Sequence, residues 1–368
     1  MKKNLLSWFN QTEKPLLIAG PCSAESPAQL LNTAKGIAVN YPNAVFRAGI
    51  WKPRTRPGSF EGKGEEALLW LKAMSDETGL RTAVEVATPS HIELALKHGV
   101  NMLWVGARTV VNPFSVQELA DALTGIKDIP VLVKNPIHPD VNLWIGALER
   151  IQNAGVTQVG AVHRGFHMHG KSQFRNDPAW EIPIQLKTQM PDLPLFCDPS
   201  HIAGNRTLLA FIAQRAMDLD MDGLMIETHC TPDLALSDAK QQITPETLHA
   251  LIQSLRIGQS EHEMLGENDE LQSLRNRIDA IDDELIQLLA QRMGFSKQIG
   301  KFKQEHNVTI LQIRRWKNTL KNQIKNGGAL GLSEDFIKAI YQIVHDESIS
   351  VQSSWNEFKK EKKEISKK

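Results

Sequence analysis

The stretch TAVEVATPSHIELALKHGVNMLWVGARTVVNPFSVQELADALTGIKDIPVLVK, residues 82–134, decides the fold. It holds three short β-rich runs, TAVEV (82–86), NMLWVG (101–106) and PVLVK (130–134), separated by amphipathic stretches such as 115–124. Each run is too short for a helix and has Pro or a charged residue within three positions of its end, at Pro89, Arg108 and Pro136, which reads as a strand ending in a functional loop. Working outward, the same alternation continues in both directions. Further strands are expected at 15–20, 44–49, 156–163, 193–197 and 223–228, and helical stretches at 27–39, 65–78, 142–154 and 206–217. Strand, helix, strand at this spacing gives βαβ units and a parallel sheet. Eight units in about 250 residues is the size of a (β/α)₈ barrel. A doubly wound open sheet is the competing α/β architecture. No GxGxxG comes after the first strand, so the dinucleotide-binding fingerprint is absent.

Composition narrows the class. A chain of 368 residues is long enough for two or three domains. Lysine plus arginine number 42 and aspartate plus glutamate 42, so the formal charge is zero, which argues against a general nucleic-acid or anionic-membrane binder. No uncharged apolar run approaches the ~18–20 residues that span a bilayer. The amino-terminal MKKNLLSWFNQ has too short an apolar core for a secretory signal. Cys22, Cys197 and Cys230 lie far apart with no CxxC, which fits a reducing compartment and excludes a zinc ribbon or a disulfide scaffold. A cytoplasmic location is expected.

The residues just beyond each strand are informative. The strand ends lead to Cys22, to Arg47 with Lys52 and Arg54, to Arg108, to Lys134, to His163 and Arg164, to Asp198 and His201, and to Glu227 with Asp238 beyond; the third strand carries Glu85. In a closed barrel these ends meet at one face. Four arginines (Arg47, Arg54, Arg108, Arg164) and two lysines (Lys52, Lys134) in a neutral protein imply a small, multiply anionic substrate, with phosphate and carboxylate the natural matches. Cys22, His201, Glu227 and Asp238 add a thiolate, an imidazole and two carboxylates, the donors of a mixed first-row metal site. Taken singly, each has an ordinary structural reading: a small buried cysteine, a helix-cap neighbour, a surface acid. Taken together, polar ends on nearly every apolar strand are not a packing pattern.

The chain changes character near 257. IGQSEHEMLGEN (257–268) reads as a linker, and the remaining residues have a helical pattern only. Leu271, Leu274, Ile278, Ile281, Leu285, Leu288, Arg292, Phe295, Ile299 and Phe302 step by three and four, predicting one helix of ~50 Å. A second helix is expected over 312–325, stopping at Gly327-Gly328, and a third from Ser333 toward 358, followed by a frayed charged tail at 359–368. One long apolar stripe cannot be covered by two shorter helices, so a dimer is expected. Arg275, Arg292 and Lys303 lie on or beside the stripe, where a charge costs stability unless an anion meets it.

GPCSAES (20–26), FRAG…KPRT (46–55), VGAR (105–108), DPSH (198–201) and IETH…ALSDAKQQ (226–242) resemble the 3-deoxy-D-arabino-heptulosonate 7-phosphate (DAHP) synthases of the shorter type-I subfamily. KPRT separates them from the related octulosonate enzymes, which have an Ala-Asn segment there. The resemblance covers 10–256 and implies condensation of phosphoenolpyruvate with erythrose 4-phosphate, assisted by a divalent metal ion (Mn²⁺, or Fe²⁺, Co²⁺ or Zn²⁺). It implies Cys22, His201, Glu227 and Asp238 as metal ligands. Arg108, Lys134 and Arg164, with Arg47 and Lys52 beside them, would hold phosphoenolpyruvate, and Arg54 and Thr55 the phosphate of the aldose. One departure is that Lys134 is followed by Asn135-Pro136 where relatives have Arg-Gly.

LRNRIDAIDDELIQLLAQRMGFSKQIGKFK (274–303) resembles the all-helical chorismate mutases. By position the resemblance implies Arg275, Arg292, Lys303, Arg315, Ser348 and Gln352 as chorismate or prephenate contacts, in a homodimer where Arg275 serves the partner's site. Gln312 and Trp316 stand where the family has acids facing the ring hydroxyl. The expected protein is bifunctional: a barrel synthase (1–256), a linker (257–268) and a three-helix mutase (269–358) that also senses prephenate or chorismate, without nucleic-acid or membrane partners. The alternative is a non-catalytic regulatory and dimerising helical module, and a Schiff-base aldolase using Lys134 is a third reading.

Overall fold

A computed structural model describes residues 14–51, 60–126, 128–168, 172–258 and 269–365. The chain divides into two compact units, Met1–Glu263 and Met264–Lys368. In the first, eight strands close into a barrel in sequence order: β1 (Leu16–Gly20), β2 (Val45–Ala48), β3 (Arg81–Val86), β4 (Met102–Val105), β5 (Val131–Lys134), β6 (Val159–His163), β7 (Leu195–Cys197) and β8 (Gly223–Glu227). Every pairing is parallel, and β8 returns to β1 with Gly20 opposite Glu227. The open-sheet alternative is thereby excluded. The eight strands fall where the sequence placed them, most of them shorter by one to three residues and β3 one residue longer at its start. The helices are α1 (Pro27–Ala38), α2 (Glu65–Thr78), α3 (Pro89–Lys97), α4 (Ala107–Val110), α5 (Pro113–Leu123), α6 (Val141–Asn153), α7 (Glu181–Gln189), α8 (Pro199–Ala203), α9 (Leu209–Asp218) and α10 (Pro245–Ser254).

Local chemistry explains the helix starts. Ser26, Thr88, Asn112, Asp198 and Thr244 each accept a first-turn N–H through the side chain, and each is followed by proline. The cap satisfies an orphan donor and the proline presets φ without removing a needed hydrogen bond.

Two apolar layers result from strand alternation. Leu16, Ile18, Val45, Ala83, Met102, Trp104, Leu132, Val162, Phe196 and Met225 fill the barrel interior. Their neighbours, among them Leu17, Ala19, Phe46, Val84, Leu103 and Val133, pack outward against the helices. Burial on both faces is why the strand bodies read as near-continuous apolar runs.

The second unit is three helices: α11 (Asp269–Glu305), α12 (Ile313–Ala329) and α13 (Glu334–Ile365). The first and third start close to where the sequence put them, and Ser333 caps α13 by accepting from the Phe336 N–H at 3.3 Å. Two expectations are corrected. Gly327 and Gly328 do not stop α12, which continues to Ala329; a Cβ on Gly327 would sit 2.7 Å from the Ile337 side chain, so this glycine admits α13 rather than ending a helix. The stop lies at Gly331, whose φ is +83°. The charged tail is helical as far as Ile365, consistent with a run of Lys and Glu, both good helix formers.

Candidate active sites

The barrel's interior parity carries the first site. Two residues beyond an interior apolar side chain, the next inward position is polar on six strands: Val45 leads to Arg47, Ala83 to Glu85, Leu132 to Lys134, Val162 to Arg164, Phe196 to Asp198 and Met225 to Glu227. Side chains alternate along a strand, so these six are the uppermost layer of the barrel interior. On β1 and β4 the corresponding position is glycine. A Cβ at Gly20 would lie 2.2 Å from the Arg47 carbonyl oxygen, and one at Gly106 would lie 2.0 Å from Glu85 Oε1. Glycine there makes room for the functional layer.

The layer lines a cavity of about 370 Å³ with Cys22, Arg47, Glu85, Arg108, Lys134, Arg164, Arg175, His201, Glu227 and Asp238 on its wall. Five cations face three carboxylates, an arrangement that calls for an anion. Lys52, Arg54 and Thr55 lie outside the described residues. A wider hollow of about 670 Å³ opens at the opposite end of the strands, by Arg81, Asn101 and Pro130; it gathers no comparable set of groups among the described residues.

Cys22, Glu227 and Asp238 each bring a ligand atom within 4.8 Å of the others. Cys22 Sγ is 3.0 Å from Asp238 Oδ2, and its backbone N–H donates to Gln242 Oε1. His201 stands at the edge of this trio, Nε2 3.9 Å from Glu227 Oε1 and Nδ1 2.8 Å from Asp198 Oδ2. Burial, helped by the Lys134 charge, lowers the His201 pKa against the pull of Asp198 and Glu227. A neutral imidazole is the ligating form, so thiol, imidazole and two carboxylates suit a divalent first-row ion.

Asp198 organises its neighbours with two oxygens. Oδ1 accepts from the His201 N–H at 3.0 Å as the α8 cap, and Oδ2 accepts from Lys134 Nζ at 2.8 Å. Burial opposes its charge, but His201, Lys134 and Arg47 together hold its pKa well below the carboxylate range. Arg47 is buried with Nη1 3.5 Å from Glu227 Oε1 and its guanidinium 5.0 Å from the Trp104 ring. Arg164 donates to Asn176 Oδ1 at 3.0 Å, and its pKa is pushed down to about 10 by burial and by Arg175 and Arg108. Three guanidinium groups held this close repel one another until an anion joins them.

Sequence reasoning missed Arg175, Asn176 and Gln241. Arg175 and Asn176 lie beyond β6 and Gln241 beyond β8, inside loops with no periodic signal; the nearest pointer to Gln241 was the DAKQQ run itself. Asn135, noted as a departure, is a clamp: its Oδ1 accepts from the Arg164 N–H at 2.6 Å and its Nδ2 donates to the Gly165 carbonyl at 2.9 Å, fixing the turn that aims Arg164.

The helical unit gathers a second set. Arg292 Nη1 donates to Ser348 Oγ and to the Val344 carbonyl. Lys303 Nζ donates to Gln352 Oε1 at 3.0 Å and to the Ile310 carbonyl at 2.6 Å. Ser348 and Gln352 are one turn apart on α13, whereas Arg292 and Lys303 are ~16 Å apart along α11; the two arms converge. Burial, then the Arg315 charge, lowers the Lys303 pKa. A hollow of about 310 Å³ opens beside Lys303 and Gln352. Arg275 is exposed, ~25 Å from Arg292 on the same helix, and cannot join it within one chain. Trp316 stacks on His345 at 4.0 Å.

Comparisons with known proteins fit this division. Residues 9–263 match the DAHP synthetase I family and residues 274–353 match chorismate mutase type II. A phospho-2-dehydro-3-deoxyheptonate aldolase of Thermotoga maritima is 30% identical over 240 residues, 65% of this chain and 68% of that protein. A crystal structure of the DAHP synthase of Thermotoga maritima superposes with a TM-score of 0.57 at 28% identity, covering 65% of this chain and 67% of the other. A bifunctional chorismate mutase/prephenate dehydratase of Buchnera aphidicola is 32% identical over 85 residues, 23% of this chain and 22% of its own length.

Proposed function

The chain belongs to the DAHP synthetase I family and carries a chorismate mutase of type II, a transferase and an isomerase in one polypeptide; from that premise we propose how its residues perform both reactions. The observation that carries the synthase reading is the Cys22–Glu227–Asp238 cluster inside a cavity lined by cations. Cys22, His201, Glu227 and Asp238 would hold a divalent ion, and a bound ion would supply Lewis acidity toward the aldehyde of erythrose 4-phosphate. Arg108, Lys134 and Arg164, with Arg47 behind them, take the phosphate and carboxylate of phosphoenolpyruvate, and Lys52 joins them; Arg54 and Thr55 take the aldose phosphate. The new bond joins the methylene carbon of phosphoenolpyruvate to the aldehyde carbon, and water displaces the phosphate. Holding both anions in one cavity brings the reacting carbons together and neutralises charge as it develops. Lys134 is ion-paired with Asp198 at 2.8 Å, which disfavours a Schiff base through its amine.

In the helical unit the reaction needs no acid, base or nucleophile. Arg292, Arg315 and Arg275 of the partner subunit fold chorismate through its carboxylates, while Lys303 and Gln352 face the breaking ether oxygen. The dimer is inferred from α11: Leu274, Ile278, Ile281, Leu285 and Leu288 are all exposed on it, and Arg275 is too far along the helix to serve its own site. The mutase unit also senses prephenate or chorismate and inhibits the barrel; a coupling of ~1–3 kcal/mol suffices for roughly 5–150-fold. The test is to strip the enzyme with chelator, restore Mn²⁺, Fe²⁺, Co²⁺ or Zn²⁺ singly, and assay both reactions with and without prephenate. Synthase turnover that survives exhaustive chelation refutes the metal reading. Chorismate left unconverted by the dimer reduces the helical unit to a sensor.

A further inference from the structure

Two carboxylates from separate segments, Glu227 at the end of β8 and Asp238 in the loop beyond it, must present a defined face if they are to share one metal ion. Asp238 sits at φ +48°, in the left-handed region, and its backbone carbonyl accepts from the Gln241 N–H at 3.1 Å. Its Oδ2 faces Cys22 Sγ, while its Oδ1 accepts from Arg175 Nη1 at 3.0 Å. The same nitrogen donates to Gln241 Oε1 at 2.7 Å, and Gln241 Nε2 donates to Glu227 Oε2 at 2.6 Å. One chain of hydrogen bonds therefore runs from Asp238 Oδ1 through Arg175 and Gln241 to Glu227 Oε2. It engages one oxygen of each carboxylate. The other oxygen of each turns inward, Asp238 Oδ2 to the thiol and Glu227 Oε1 toward His201 Nε2.

Arg175 is itself seated on the element that carries His201. Its N–H donates to the Ala203 carbonyl at 3.3 Å, and the next N–H, of Asn176, donates to the Ile202 carbonyl at 3.2 Å. Asn176 Nδ2 adds a bond to the His201 carbonyl at 2.6 Å. A Cβ on Gly204, which ends α8, would meet the Arg175 Cβ at 2.4 Å, so that glycine makes space for the Arg175 stem. Arg175 thus ties the loop bearing Asp238, the strand end bearing Glu227 and the helix bearing His201 into one frame.

We propose that Arg175 and Gln241 are positioning residues that hold Glu227 and Asp238 to one inward oxygen each, making the four-ligand site monodentate and tight. This rests on the metal reading of the same site. Outer partners of ligating carboxylates commonly contribute 10–100-fold to metal affinity. The experiment is Mn²⁺ titration of the full-length protein against a chromophoric chelator, for the wild type, Arg175→Met, Gln241→Met and the double variant, with the metal-free melting temperature recorded for each. Methionine keeps the stem that packs over Gly204. Each single variant is expected to bind Mn²⁺ roughly 10–100-fold more weakly without a matching fall in melting temperature. The double variant is expected to be no weaker than the worse single one, because both break the same chain. Arg175→Lys, which keeps an ammonium donor, is expected to recover part of the loss. Affinities within twofold of wild type overturn the inference. Tighter binding in Arg175→Met overturns it as well, making Arg175 a competing counter-cation. If Arg175→Met does not fold, Gln241→Met decides by the same criterion. A wild type that binds no divalent ion removes the metal reading itself, a separate failure.

Discussion

Lys134, Asp198 and His201 show how much of the synthase site depends on single side chains. Asp198 is wholly buried and neutralises Lys134 while capping the helix that presents His201. Replacing it by asparagine keeps the cap but leaves the lysine charge buried without its partner, a loss of about 3–5 kcal/mol in such pairs. Asp198→Asn is therefore expected to lower the melting temperature clearly and to abolish most synthase turnover, checked by calorimetry and by product formation. His163 gives a pH signature. It is fully buried between Phe166 and Trp180, and burial, with the Arg164 charge, lowers its pKa to about 3. The unfolded chain takes up this proton near pH 6.5 and the folded chain only near 3. Stability is therefore full above pH 6.5 and falls on acidification between those values, by up to about 1.4 kcal/mol per pH unit. His163→Phe should flatten the fall of melting temperature between about pH 7 and 5; an unchanged slope would assign the acid sensitivity elsewhere.

Among the elements, α11 and α13 meet where Gly300 lies against Gln352. A Cβ there would stand 2.9 Å from the Gln352 Cα, a backbone atom that cannot swing away. Alanine improves helix propensity by ~0.8–1.0 kcal/mol, but forcing the helices apart costs ~1–3 kcal/mol, so the clash prevails. Gly300→Ala is expected to speed hydrogen exchange along both helices and to weaken chorismate turnover, since Gln352 moves away from Lys303. Exchange rates equal to wild type would show that the helices have slack. Gly327 against Ile337 is the same device between α12 and α13.

At the scale of the molecule, two compact units divide the labour. Arg292→Ala should eliminate mutase activity and leave synthase turnover intact, and Cys22→Ala the reverse, with loss of bound metal. If either substitution silences both reactions in a folded protein, the two sites are not independent. Leu285→Glu, in the exposed apolar stripe of α11, is expected to give monomers by light scattering and to lose mutase activity together with assembly, because in the proposed dimer Arg275 enters the second subunit's site. A fully active monomer would contradict the shared site.

Much of this was legible in the sequence because it depends on local order. Alternation of apolar runs gave eight strands, a three-four period drew α11, and cations at successive strand ends pointed to an anionic ligand. Glycines misled: Gly327 has the look of a stop signal, and only the approach of Ile337 shows it to be a packing position, because nothing within α12 records what lies against it. The closed barrel, too, was one of two α/β architectures until β8 was seen beside β1. Arg175, Asn176 and Gln241 stayed invisible for the same reason. Their neighbours in sequence are unremarkable loop residues, while Arg175 lies 63 positions from Asp238 and 66 from Gln241. Periodicity and spacing report what a segment does along its own axis; which side chains share a hydrogen-bond chain across loops is decided only when the barrel closes and brings those loops to one face.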